Sequence, residues 1–265
     1  MFTFEPNKTY SMPPFFGGAE FNPNAEGRVN DSVEINFTQI TDGNRLADYL
    51  PKGFILLKPE LHICFGQYRQ IDFLAGGAYN IIRVTVPVYF NGMRDKLVGE
   101  FNLVIWENKT APITGGREES GMPKIYADIE DFHIFREKYF TNASFEGNTF
   151  LRMEMINPQP IQGQWLKEVR ANHANLNGLA LRYIPKIGAP GADLIQAALY
   201  PASAKIKSAW IGKGSIQWTK LTSEQNKHQA HIINSLASLP IIETKPAIMT
   251  KGILSMKPIT GRVLK

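Results

Sequence analysis

The chain has 265 residues, 43% of them hydrophobic, and a formal net charge of +5 that is scattered along its length. That length suits one large domain with a full core, and the scattered charge excludes a nucleic-acid-binding surface. The single cysteine, Cys64, excludes an intrachain disulfide and fits a reducing compartment.

Residues 1–32 read as an irregular arm. Pro13 and Pro14 favour extended backbone. The arm's aromatics, Phe2, Phe4, Tyr10, Phe15, Phe16 and Phe21, are too many for a free tail. The arm is therefore expected to dock on its own domain or on a neighbouring subunit. Its first residues lack a basic segment followed by an apolar one, so no secretory signal is expected. No stretch approaches the roughly 18 apolar residues of a membrane helix. A cytoplasmic protein with no membrane partner is expected.

Residues 33–265 are expected to form a single domain. Val33–Thr38 alternates apolar and polar residues with period two. Asp42 can cap a short helix from Gly43 to Leu50, stopped by Pro51. Strand-like runs follow at Phe54–Leu57, Leu61–Phe65, Ile81–Phe90, Gly99–Trp106, Phe150–Ile156, Leu179–Ile184 and Ala204–Trp218. Asn91-Gly92 is a turn signal, and Gly191-Ala192-Asp193 is a second connection. The spacing predicts one clear helix, Ser223–Leu236, capped by Thr222 or Ser223, with Ile232, Ile233 and Leu236 on its apolar face. Strands joined by short turns, with few helices, predict a mainly β protein, an antiparallel barrel or sandwich.

The candidate for chemistry is Lys124. It follows Gly116-Arg117-Glu118-Glu119-Ser120-Gly121-Met122-Pro123 and precedes Ile125-Tyr126-Ala127. Lysine is seldom buried without a partner. An amine held in an apolar wall would lose charge by desolvation, and a neutral amine is a nucleophile that forms a Schiff base with a carbonyl. The competing reading is a strand-edge lysine with its head in water. Other candidates carry less. His228 and His231 lack a recognisable ligand partner, so no metal site is expected. Cys64 reads as a buried structural thiol with His62 on the same strand face. Asp128, Glu130 and Asp131 read as a solvated turn. Neither a phosphate-binding glycine loop nor a serine-nucleophile elbow is present.

The run Gly116-Arg117-Glu118, Gly121, Pro123-Lys124 resembles the signature of the acetoacetate decarboxylase family. Further segments match in the same order: Val86–Gly92, Leu103–Asn108 with Ala111-Pro112-Ile113, Leu181–Pro185, Lys207–Gly214, Ser238–Ile241, and Gly252–Leu254 to Val263-Leu264. The resemblance spans residues 33–265. It implies an antiparallel β-barrel core with a few peripheral helices, a homo-oligomer, no cofactor, and Lys124 as the Schiff-base nucleophile toward a small keto acid. Tyr79 and Met122 are implied to lie at the substrate. Arg117 and Glu118 are implied either to bind substrate or to form an ion pair that holds the turn before Lys124.

The chain departs from the family pattern in three places. Ile125 stands where the decarboxylases have a second lysine. Ile81 stands where they have an essential glutamate. Their N-terminal arginine should fall near Ser32, with Arg28 close by. The expectation is therefore a Schiff-base-forming lyase with aldolase/dehydratase-type chemistry or decarboxylation through Lys124, and weak turnover of acetoacetate itself. A non-catalytic small-molecule-binding protein on the same fold is the alternative, favoured by Ile81 and Ile125. A structural or assembly role rests only on the aromatic arm.

Overall fold

The computed structural model describes residues 1–22, 24–256 and 261–265. Pro23 of the arm and residues 257–260, within the closing segment expected from Gly252 to Leu264, lie outside the described residues. Ten strands matter to the site. They are β1 (Gly27–Ile40), β2 (Glu60–Ile71), β3 (Gly77–Asn91), β4 (Lys96–Glu107), β5 (Lys124–Tyr126), β6 (Lys138–Phe145), β7 (Asn148–Pro160), β8 (Leu176–Pro185), β9 (Ala192–Trp218) and β10 (Ala247–Met256). The strand expected from Val33 starts six residues earlier, at Gly27.

Seven strands close into a ring in the order β1, β2, β3, β4, β8, β9, β10 and back to β1. Every junction is antiparallel except β4–β8, which is a short parallel contact at Glu100 and Phe101. Further along β4, β5 lies parallel beside it, with Lys124 opposite Ile105 and Tyr126 opposite Glu107. Closing a sheet on itself removes edges that would otherwise pair with other chains. The mainly antiparallel β fold expected from the sequence is present.

Strand alternation gives the ring two chemically different faces. One is the main apolar core, with Ile35, Phe37, Phe65, Ile82, Val84 and Trp106 packed under Phe150, Met153 and helix residues Ile233 and Leu236. The other carries a smaller cluster, Tyr68, Tyr79, Ile81, Ile105 and Met122 with Ala180 and Leu254. It also carries Glu34, Cys64, Arg83 and Glu107, by register. This second face is called the site face below.

Four α-helices are described: α1 (Gly43–Ala47), α2 (Thr110–Ser120), α3 (Gly163–His173) and α4 (Ala230–Ala237). Asp42 caps α1 as expected, accepting from the N–H groups of Asn44 and Arg45. The helix expected from Ser223 begins only at Ala230. The preceding residues are committed elsewhere: Asn226 Oδ1 accepts from Gln229 N–H, and Gln229 ties Trp106 Nε1 (2.9 Å) to the Tyr126 carbonyl (2.8 Å). Helix α3 was not expected, although Leu166 and Val169 stand three apart among good helix formers. At the Asn91-Gly92 turn, any Cβ on Gly92 would sit 2.5 Å from the Lys265 carbonyl oxygen, so only glycine lets the C-terminus dock there. Among the described residues, no helix is long and apolar enough to cross a membrane.

Candidate active site

The segment before Lys124 is helix, not the turn expected from its glycines. Gly115 and Gly116 lower helix propensity by about 1 kcal/mol each relative to alanine, yet α2 runs through both. It stops at Gly121, whose left-handed backbone (φ 66°) returns its N–H to the Gly116 carbonyl. A Cβ on Gly121 would fall 2.5 Å from Arg182 Cβ, so this reversal also needs glycine for space. The chain then enters β5, and Ile105 N–H bonds the Pro123 carbonyl at 3.0 Å. Lys124 thus starts a strand on the site face.

The Lys124 side chain is 15% exposed and lies along the backbone of Gly116. Its Nζ donates to the Pro112 carbonyl at 3.0 Å and stands 2.8 Å from Glu107 Oε1. Glu107 ends β4 and is fully buried. The two charges meet, but the angles fall short of a hydrogen bond, and both carboxylate oxygens keep unspent acceptor capacity among the described residues. An unpaired buried carboxylate costs several kcal/mol, so the pair is a partner for each ion. Burial pushes the Glu107 carboxyl up, and Lys124 only partly offsets this. The lysine was expected in an apolar wall. It has an apolar floor and a carboxylate neighbour.

Glu107 was visible in the sequence only as part of a strand. Its role was hidden because cross-strand register cannot be read from one chain. It stands directly opposite Ile81, the position where the expected glutamate is missing. A carboxylate on β4 thus stands beside the position that lacks one on β3.

Tyr79 and Met122 are buried in the cluster beside this pair. Tyr79 meets Tyr68 edge to face with ring centroids 5.4 Å apart. Burial, then the nearby Glu107 charge, holds its phenol far above the usual range. Tyr68 donates to Glu34, a second buried carboxylate.

Arg117 and Glu118 are outside the cluster. Arg117 Nη1 donates to the Lys124 carbonyl at 2.9 Å, so it holds the turn through a hydrogen bond. Glu118 Oε2 accepts from Met12 N–H at 3.3 Å, and Ser11 Oγ donates to Glu119 Oε1 at 3.3 Å. The arm therefore docks on α2 of its own domain. No Arg117–Glu118 ion pair occurs among the described residues.

Two concavities lie elsewhere. One of about 230 Å³ is lined by Gln39, Thr41, Trp218 and Leu236. An open groove of about 780 Å³ runs past Arg170, Lys205 and Lys207. Lys124 borders neither. Cys64 is buried, and desolvation pushes its thiol up, which suits a structural thiol. His62 bonds Glu100 (2.9 Å) and Glu60 (3.2 Å).

A family model for acetoacetate decarboxylase (ADC) matches residues 11–252, and the chain belongs to the acetoacetate decarboxylase family. It is 25% identical over 246 residues to the acetoacetate decarboxylase of Burkholderia vietnamiensis, covering 89% of this chain and 87% of that protein. The acetoacetate decarboxylase from Legionella pneumophila shares the fold with a TM-score of 0.72 and 19% identity, over 94% of this chain and 92% of that one. The enduracididine biosynthesis enzyme MppR, complexed with pyruvate, shares it with a TM-score of 0.71 and 13% identity, over 97% of each chain. Membership of this family supports a lyase of the decarboxylase-like type.

Proposed function

We propose that this member of the acetoacetate decarboxylase family is a Schiff-base-forming lyase that acts on a small keto acid through Lys124, with Glu107 as its proton partner. The observation that carries the reading is the 2.8 Å contact between a largely buried amine and a fully buried carboxylate. Transfer of the ammonium proton to Glu107 leaves a neutral amine and a carboxylic acid with no isolated charge. The amine attacks the keto carbon, and the carbonyl oxygen becomes the hydroxyl of a carbinolamine. Glu107 then returns its proton to that hydroxyl, water leaves, and an iminium faces a carboxylate. A carboxyl pushed up by burial suits both halves of this exchange.

The iminium withdraws electrons from the adjacent carbon. A β-keto acid would then lose carbon dioxide, and an α-keto acid would lose a proton to give an enamine able to attack an aldehyde. The expectation of weak acetoacetate turnover rested on Ile81 lacking a proton-handling group. Glu107 removes that objection, and decarboxylation and aldol-type chemistry both remain open to this site. Arg117 supports the reading indirectly by fixing the backbone of Lys124.

Reduction with cyanoborohydride in the presence of pyruvate or acetoacetate should add the mass of the reduced imine to the protein. Glu107→Gln keeps the shape and loses the proton exchange, so trapping should slow by about 10²–10⁴-fold. Trapping at an unchanged rate would remove Glu107 from the chemistry. Failure of every keto acid to trap would favour the non-catalytic binding protein.

We also propose that the protein self-associates. Phe4, Phe15, Phe16 and Phe21 of the arm are exposed on the single chain, as are Ile134 and Phe135. Apolar area of this kind marks interaction surfaces. Light scattering at micromolar concentration should give a multiple of the monomer mass, and a clean monomer would contradict the proposal.

A further inference from the structure

Along β1, Ile35 and Phe37 enter the main apolar core, and strand alternation sends Gln39 and then Thr41 the same way. Leu61 of β2 stands directly opposite Gln39. Thr41 follows β1 at once, its N–H held by the Pro59 carbonyl at 2.9 Å. Gln39 and Thr41 are each only 3% exposed. Polar side chains at two successive core positions are costly unless they are hydrogen-bonded. Yet Gln39 Nε2 and Thr41 Oγ1 have no hydrogen-bond partner among the described residues.

A third such atom belongs to Trp218, which ends β9 and whose Nε1 is also buried without a partner among the described residues. Its neighbour Trp106 differs, since that Nε1 donates to Gln229 at 2.9 Å. Gln39, Thr41 and Trp218 border one cavity of about 230 Å³, with Leu61, Ile216 and Leu236 among its apolar walls. No residue lining it carries a charge. Ile241 also lines it and is exposed, so the cavity reaches the surface.

The walls define what fits. A cavity of about 150 Å³ with apolar walls takes benzene, so this one takes roughly nine non-hydrogen atoms. Without a countercharge, burying an ion here is strongly disfavoured. Gln39 Nε2 and Trp218 Nε1 can only donate, while the Thr41 hydroxyl donates or accepts. The matching ligand therefore supplies an acceptor.

We propose that this cavity is a second small-molecule site, for a neutral ligand with an apolar body and a carbonyl oxygen. Rotation about the last torsion of Gln39, or about χ1 of Thr41, turns the unspent donor toward that oxygen. The walls from β1 and β2 belong to the main core, whereas Lys124 rises from the site face. Binding here does not depend on imine chemistry at Lys124.

Benzamide is a suitable probe. It has the right size, carries an amide carbonyl, and forms no imine with lysine. Benzoate matches its shape and adds a charge. In a nuclear magnetic resonance titration, benzamide should bind the unmodified protein with a Kd of about 1 mM or tighter. Benzoate should bind at least about 10-fold more weakly. Gln39→Leu keeps the bulk and removes the donor. Benzamide affinity should then fall by about 10-fold, the worth of one hydrogen bond. The thermal midpoint should rise, because a buried unspent donor is gone. Ala237→Leu fills the cavity from the end of α4 and should abolish benzamide binding. That variant alone decides the matter if Gln39→Leu fails to fold. The proposal is overturned if the unmodified protein does not bind benzamide, even where Gln39→Leu raises the midpoint, since the cavity then takes only water. It is also overturned if benzoate binds as tightly, or if Ala237→Leu leaves benzamide binding intact.

Discussion

The unmodified protein should exchange pyruvate methyl protons for deuterium in heavy water, and Lys124→Ala should abolish that exchange. The exchange needs an enamine, and the enamine needs the imine proposed to form at Lys124. Loss of the nucleophile should cost more than the roughly 10²–10⁴-fold of an acid–base group, and so reach the uncatalysed rate. The same change should lower stability, because Glu107 is fully buried and loses its ionic partner Lys124. Removing one member of a buried pair costs about 3–5 kcal/mol. Lys124→Ala combined with Glu107→Gln should recover part of that loss and none of the exchange. Proton exchange by Lys124→Ala at the rate of the unmodified protein, followed by nuclear magnetic resonance, would exclude the lysine from the chemistry.

Gly116→Ala should disable the site while sparing the fold. A Cβ at Gly116 would lie 2.5 Å from Lys124 Cδ and Cε and 2.8 Å from Nζ. These atoms belong to the far end of a flexible side chain, so the lysine can swing away sterically, at the cost of its contact with Glu107. Alanine also favours helix over glycine by about 1 kcal/mol, and Gly116 is inside α2. That gain offsets only part of the roughly 3–5 kcal/mol lost when Glu107 is left without Lys124, so stability should fall, but by less than in Lys124→Ala. The displaced amine would lose its 2.8 Å contact with Glu107 and its 3.0 Å bond to Pro112. A misplacement of about 1 Å can cost about 10²-fold in rate, and trapping should fall by that amount. A folded Gly116→Ala protein with full trapping would mean that the observed lysine position is not the reactive one.

Features local in sequence were legible without the structure. Period-two alternation marks much of β1 and β3, and the Asn91-Gly92 turn separates β3 from β4. Lys124 stands out because a proline and a glycine fix its approach and isoleucine follows it. Asp42 announces α1 through its side-chain cap.

What was not legible depends on register or on tertiary commitments. Helix α2 is disguised by Gly115, Gly116 and Pro112, which read as turn residues until Lys124 is seen lying against Gly116. The segment before α4 reads as helix, yet Asn226 and Gln229 are drawn into bonds with their neighbours and with Trp106. Glu107 looks like an ordinary strand residue. It faces Ile81 across the sheet, and no spacing within one strand reveals which residue of the next one lies opposite.

The claim that Lys124 is the imine-forming residue is tested most directly by peptide-resolved mass spectrometry after cyanoborohydride reduction with pyruvate and, separately, acetoacetate. The account predicts one reduced adduct per chain, on the peptide that contains Lys124, at a keto-acid concentration that leaves surface lysines such as Lys205 and Lys207 unmodified. An adduct spread over surface lysines, or a single adduct on a lysine other than Lys124, would contradict it.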